Sequence, residues 1–258
     1  MIRSLLIVGT GNAAWHLGTA FAQAGVQIIG VAARDAMKGH ALCAQLGNVP
    51  YFALYNNLPD ADAYLIAVRD DAIEDVARQL KRPGQLMIHC SGSMPGAILN
   101  TADNPFAVFW PMHSLQKTAA ESLKETFIAV TGSSDSVTHR VLELAARIST
   151  RAMPLREQQR MAMHMCAVWI NNYSNHMMHI GATLLKENGL DFDLFLPIIR
   201  AQAVALETRL PQEIQTGPAK RGDMGTLERH RRLLEAHPDL QRLYDDLAEH
   251  ILQTYLKK

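Results

Sequence analysis

Gly9-Thr10-Gly11-Asn12-Ala13-Ala14 follows four aliphatic residues, Leu5-Leu6-Ile7-Val8, and leads into a helical pattern. Its G-x-G-x-x-A spacing suits the phosphates of a dinucleotide. Gly9 allows a tight turn, and Gly11 removes the side chain that would hold a pyrophosphate off the backbone. Ala14 lets the helix pack close to a strand. The first N–H groups of that helix, with the positive end of its dipole, would face the anion. The second strand ends at Ala33-Arg34-Asp35. An acid at that place binds a ribose 2′-hydroxyl, whereas an arginine receives a 2′-phosphate. Arg34, with Lys38 one turn on, points to NADP. NAD is the alternative, with Asp35 on the ribose and Arg34 in solvent. S-adenosylmethionine-binding proteins also begin with a strand and a Gly-rich loop. They usually carry an acid at the end of the second strand and seldom end in a separate helical domain.

A second set of residues suits proton transfer. His164, Val168, Asn172 and His176 recur every four residues, with Asn171 nearly in line with His164. A histidine titrates near working pH and can act as a general acid, and Asn172 can orient a carbonyl. The structural alternative is a core histidine bonded to a backbone carbonyl and an asparagine joining two helices. In the loop Gly217 to Asp223, Arg221 can clamp a carboxylate or phosphate through two parallel hydrogen bonds. The same loop also reads as a Gly-Pro turn followed by an Asp N-cap, which needs no ligand. Thr226 and His230 lie one turn apart on the next helix and can face the same cavity. His113 and Ser114 follow a strand, at the end where α/β sheets bind ligands. Cys90 also ends a strand, where burial is the commoner fate of a thiol.

The elements that must position these groups alternate. Strands are expected at Leu5–Val8, Val26–Ala33, Ala63–Val68, Gln85–Cys90, Ala107–Trp110, Phe127–Val130 and Arg151–Leu155. Helical patterns lie between many of them, at Ala13–Ala24, Asp35–Leu46, Asp71–Leu80 and Ser136–Ile148. Such alternation means βαβ units and a mostly parallel sheet of Rossmann type. Strand patterns stop near residue 156. Helices follow to Glu187, from Asp191 to about Thr208, from the cap Asp223 to Ala236, and from Pro238 onward, with Pro211 to Gly222 as a loop. The expected organisation is therefore an α/β domain over 1–155 and an all-helical domain over 156–258.

The 258 residues carry 25 Lys and Arg against 25 Asp and Glu, so there is no basic footprint for nucleic acid. Three cysteines without repeated spacing, Cys43, Cys90 and Cys166, argue against a disulfide framework and a zinc site, and for a reducing, cytoplasmic compartment. No apolar run is long enough to span a bilayer, and the N-terminus lacks a signal-peptide pattern. Met161, Met163, Met165, Met177 and Met178 suit adaptable core and interface packing.

Several of these segments resemble known proteins. Gly9 to Gly18, Ile66-Ala67-Val68 with Asp70-Asp71-Ala72-Ile73, and His89-Cys90-Ser91-Gly92-Ser93 resemble the Rossmann-like "NADP oxidoreductase, deazaflavin-dependent" proteins. Thr216-Gly217-Pro218-Ala219-Lys220-Arg221-Gly222-Asp223, with His230 seven residues on, resembles a bacterial family that adds a helical C-terminal domain of unknown function. The resemblance implies a fold related to 6-phosphogluconate dehydrogenase, ketopantoate reductase and pyrroline-carboxylate reductase. It implies hydride transfer to a small carbonyl or imine in a cleft between the domains, Val68 and Ser91 beside the cofactor, and a helical domain that dimerises. Related dehydrogenases place a Lys and an Asn one turn apart on the helix that here carries His164 and Asn172, and this helix has no such Lys. Trp110 stands where many relatives place His or Tyr before the proline, and Arg69 where proline is common. A nucleotide-binding sensor without catalysis is the alternative that these departures support.

Overall fold

Leu5 to Val8 are wholly shielded from solvent, as a strand covered on both faces must be. In the computed structural model, which describes residues 1–53, 55, 57–80, 82–113 and 122–256, they form the centre of an eight-stranded sheet. The first half runs β1 (Ser4–Val8), α1 (Asn12–Gln23), β2 (Gln27–Ala32), α2 (Ala36–Gln45), β3 (Tyr51–Phe52), β4 (Ala63–Ile66), α3 (Ile73–Leu80), β5 (Met87–His89) and β6 (Phe106–Pro111). After these come β7 (Ile128–Gly132), α4 (Asp135–Ala145) and β8 (Ala152–Pro154). Strand order is β3-β2-β1-β4-β5-β6-β7-β8. From β3 to β6 every pairing is parallel; β7 runs antiparallel to β6, and β8 parallel to β7. The mostly parallel Rossmann-type sheet expected from the alternation is present. Two features were not foreseen: the two-residue β3 and the reversed direction of β7.

The chain leaves β1 toward β2 on one side and later enters β4 on the other. A ligand crevice forms where strand order reverses in this way, outside the carboxyl ends of the strands. The core lies on both faces of the sheet. Leu17, Phe21, Phe109 and Val141 belong to one cluster, and Leu58, Tyr64, Ile73 and Leu80 to the other.

Beyond β8 the structure is helical. α5 (Glu157–Ala167) continues through a π turn, Val168–Tyr173, into α6 (Ser174–Glu187). Then come α7 (Leu196–Ala205), α8 (Pro211–Ile214), α9 (Pro218–Arg221), α10 (Met224–Leu233) and α11 (Pro238–Leu256). Residues 211–222, expected to be a loop, hold two single helical turns. Each opens on a proline, whose fixed φ suits the first helical position. Asp223 caps α10 as expected, accepting the Thr226 N–H at 3.0 Å. The chain separates into two compact units, Met1–Met177 and Met178–Lys258, so α5 and the π turn belong with the sheet. Among the described residues no helix is long and apolar enough to cross a membrane, and no group of His, Cys, Asp and Glu is placed to hold a metal ion.

Candidate functional site

At the carboxyl end of β1 the backbone of Gly9 takes a φ of 112°. A Cβ there would stand 2.4 Å from the Ala67 carbonyl oxygen, so no side chain fits without moving backbone. The Gly9 N–H is tied to the Ala32 carbonyl at 2.9 Å, which fixes the turn between β2 and β4. Gly11 is the N-cap of α1. It offers no capping side chain, and the first turn of α1 holds no acidic residue. No acidic side chain of that turn neutralises the positive end of the dipole, which suits a phosphate. Gly11 and Asn12 are exposed, Thr10 and Ala13 half-buried, and Ala14 is fully buried against the sheet. Val68 touches the position that a Gly9 side chain would occupy.

Asp35, the rival for the ribose, is engaged elsewhere. It caps α2, accepting the Lys38 N–H at 3.0 Å and pairing with the Lys38 ammonium at 3.2 Å. The N–H first, and then the ammonium, hold its carboxyl below the usual carboxylate range. Arg34 is exposed, and its guanidinium forms no ion pair among the described residues. Replacing Asp35 by Ala should lower the midpoint of urea unfolding through the lost cap, while leaving dinucleotide affinity nearly unchanged. A loss of affinity would mean that Asp35, not Arg34, serves the ribose.

The loop after β5 joins this edge. Ser91 Oγ and Ser93 Oγ each donate to Asp70 at 2.8 Å, and Ser91 Oγ accepts the N–H groups of Ser93 and Met94. The Ser91 hydroxyl is therefore spent on Asp70 and on the loop itself. Behind it His89 is completely buried. Its Nδ1 accepts the Ser91 N–H at 3.1 Å, so the proton of the neutral ring sits on Nε2 and is donated to the Pro95 carbonyl at 3.3 Å. Burial pushes its pKa down to about 4.

Arg160, on the first turn of α5, is fully buried against the same loop. Its Nη1 donates to the carbonyls of Ser91 at 3.2 Å and Gly92 at 2.5 Å, and its Nη2 to that of Met94 at 2.8 Å. Glu157 accepts the Gly96 N–H at 2.9 Å and lies 3.8 Å from Arg160. One turn along, the His164 ring lies beside the Trp110 indole, with centroids 5.4 Å apart. A Cβ on Gly92 would meet His164 at 2.4 Å and Trp110 at 2.7 Å. His164 is half-buried and has no hydrogen-bond partner among the described residues. This does not match the expected structural alternative of a ring bonded to a backbone carbonyl.

The π turn corrects the ridge expected on this helix. Two α turns take about seven residues, but an i→i+5 turn takes roughly one residue more. Over eight residues with one π turn, the backbone completes about two full rotations. Asn172 rather than Asn171 is thereby brought into line with His164, and it is exposed.

His113 stands past the end of β6 in a cleft of about 400 Å³ with Met112, Phe127, Arg151 and Met163. Ser114 lies outside the described residues. Arg221 and His230 belong to the second unit. Arg221 is exposed at the end of α9. His230 Nδ1 is bonded to the Tyr244 hydroxyl at 2.7 Å, and Thr226 Oγ1 donates to Asp223 at 2.7 Å. The sequence singled out Gly9–Ala14, Arg34, Val68, Ser91 and His164, all of which lie in the first unit. It missed Asp70, His89, Glu157 and Arg160. The available signals were an arginine one turn before His164 and the alternation of His89, Ser91 and Ser93.

Comparisons with known proteins agree with this geometry. Residues 3–113 match the model of the Rossmann-like domain, and residues 126–251 match that of a domain of unknown function, DUF2520. A crystal structure of a protein described as a "putative NADP oxidoreductase" from Bacteroides fragilis superposes with a TM-score of 0.90 at 29% identity, covering 98% of each chain. A Thermotoga maritima protein superposes at 0.73 with 22% identity over 96% of each chain. A reductive aminase from Aspergillus terreus, in complex with NADPH and ethyl-5-oxohexanoate, does so at 0.73 with 15% identity, covering 98% of this chain and 95% of its own. The last two show a shared fold. No curated protein sequence matches the chain. The chain is thus similar to a Rossmann-like domain over residues 3–113 and to DUF2520 over residues 126–251.

Proposed function

We propose that this protein is an NADP-dependent oxidoreductase acting on a small carbonyl or imine. The observation that carries the reading is an uncapped helix N-terminus behind Gly9 and Gly11 at the end of β1, with His164 held against Gly92 and Trp110 beside β5 and β6 of the same sheet. Likeness to the Bacteroides fragilis protein over nearly the whole of both chains supports it, as do folds shared with reductive aminases and imine reductases. The residues present fit a dinucleotide, because Gly9 holds a turn that no side chain fits and Gly11, exposed and without a side chain, leaves the backbone open where a pyrophosphate would approach. Bound NADPH supplies a hydride from its nicotinamide to the carbon of a C=O or C=N bond.

This chain's residues do the rest. Gly9 to Ala14 hold the pyrophosphate, Arg34 meets the 2′-phosphate, and Val68 and the Ser91 backbone flank the nicotinamide end. His164 gives a proton to the oxygen or nitrogen that gains charge, and Asn172 orients the same group. Arg221 holds a substrate anion, with His113 and His230 as further polar contacts. Functionally, residues 1–155 hold the cofactor and residues 156–258 supply substrate contacts and assembly. The apolar side chains exposed along the helices, Trp169 at 60%, Ile170 at 75% and Leu233 at 78% among them, suit a second copy of the chain. The reading as a non-catalytic sensor keeps one specific support, the absence of a Lys on α5.

Titration with NADPH, NADH and a reduced deazaflavin, followed by cofactor fluorescence on wild type and Arg34→Ala, tests the reading. NADPH should bind more tightly than NADH, and Arg34→Ala should lose that preference by roughly tenfold, the worth of one charge-assisted contact. Binding of none of the three would sink it. Tight NADPH binding without turnover across carbonyl and imine panels would favour the sensor. Deazaflavin binding would place the protein beside the deazaflavin-dependent reductases.

A further inference from the structure

The residue with the largest fully buried side chain in this protein is a charged one, Arg160. Burying a guanidinium is costly unless its N–H groups are met. Here three backbone carbonyls of a single loop meet it, those of Ser91, Gly92 and Met94. The one carboxylate paired with it among the described residues, Glu157, is 3.8 Å away and binds the Gly96 N–H of the same loop. The pair on α5 therefore grips the loop at both ends. Arg160 Nε, also buried, finds no acceptor among the described residues. A core arginine kept for stability alone would be a poor choice, since an apolar side chain of similar size avoids that desolvation. The loop that it holds has two further contacts. On one side Ser91 and Ser93 bond Asp70, three residues beyond Ala67, whose carbonyl closes over Gly9. On the other, Gly92 lies against His164 and Trp110.

From this continuity we infer that Arg160 is a positioning residue: through the loop 91–96 it fixes the His164 ring against Trp110 and ties it to the Gly9 turn. A lysine, a point charge without a fork, can reach some of the three carbonyls but cannot hold them in one plane. The functional consequence of this placement rests on the role proposed for His164, but the placement itself is read without cofactor or substrate.

The test is the NMR spectrum of the histidine ring protons in the whole chain. Signals of His164, identified by their loss in His164→Gln, should be displaced in wild type by the ring current of Trp110. In Arg160→Met, which keeps volume and removes every donor, they should move toward the positions of an exposed histidine. His237 and His250 of the second unit, and the far-UV circular dichroism, should stay as in wild type. Arg160→Lys should recover part of the displacement. Folded Arg160→Met with His164 signals at their wild-type positions would overturn the inference. If Arg160→Met does not fold, Gly92→Ala decides. Its added methyl should part the loop from His164 and remove the displacement, and an unchanged spectrum would overturn the inference. Failure of NADPH to bind would leave this result standing and count only against the proposed reaction.

Discussion

Lowering the pH from 7 to 4 is expected to weaken the folded state by about 3 kcal/mol through His89 alone. Its folded pKa is depressed from 6.5 to about 4, because the buried ring cannot be hydrated when charged. A depressed folded pKa means that the unfolded chain takes up the proton first. The contribution is complete above about 6.5 and is lost as pH falls through that value toward 4. Below that, both states are protonated and the slope from this group ends. Carboxylates add their own acid slope, so the comparison that isolates His89 is His89→Gln. Its amide can accept from the Ser91 N–H and donate to the Pro95 carbonyl without titrating. Urea unfolding at intervals between pH 7 and 4 should give a steeper fall for wild type than for the variant. Parallel curves would show that His89 is not buried as a neutral ring.

Gly9→Val should abolish dinucleotide binding and destabilise the chain by about 3 kcal/mol or more. Two independent costs add there. A φ of 112° is outside what a β-branched residue adopts, and the new Cβ would stand 2.4 Å from a backbone oxygen rather than a movable side chain. Gly11→Ala is the informative partner. Its Cβ would meet nothing closer than the Ala67 oxygen at 3.8 Å, so stability should hardly change. Binding should nevertheless fall, because the methyl group occupies the space of the pyrophosphate. Equal affinity of Gly11→Ala and wild type would remove this turn from the nucleotide site.

What the sequence disclosed follows the range of the interactions involved. The Gly9–Ala14 cradle was legible because it is local: a strand, a turn and a helix start within a few residues of one another. The N-cap at Asp223 and the two-sided burial of β1 were legible for the same reason. Arg160 was not, since an arginine on a helix face is ordinarily solvated, and only a loop some 66 to 69 residues earlier gives its guanidinium partners. The use of Ser91 by Asp70 is long-range in the same way. The reversed β7 was hidden because a short apolar strand carries no direction in its pattern. The π turn was hidden because it adds no distinctive residue, only an extra one.

The second unit has almost no interior. Among its described residues, Ala219, Leu227, Leu234 and Ala248 are the apolar side chains that reach burial, while Leu194, Ile198, Val204 and Leu210 stand largely in solvent. Ordering a residue costs about 1 to 2 kcal/mol of backbone entropy, which so few buried groups cannot offset. If a second copy of the chain covers these side chains, as proposed above, the stability of this segment would depend on protein concentration.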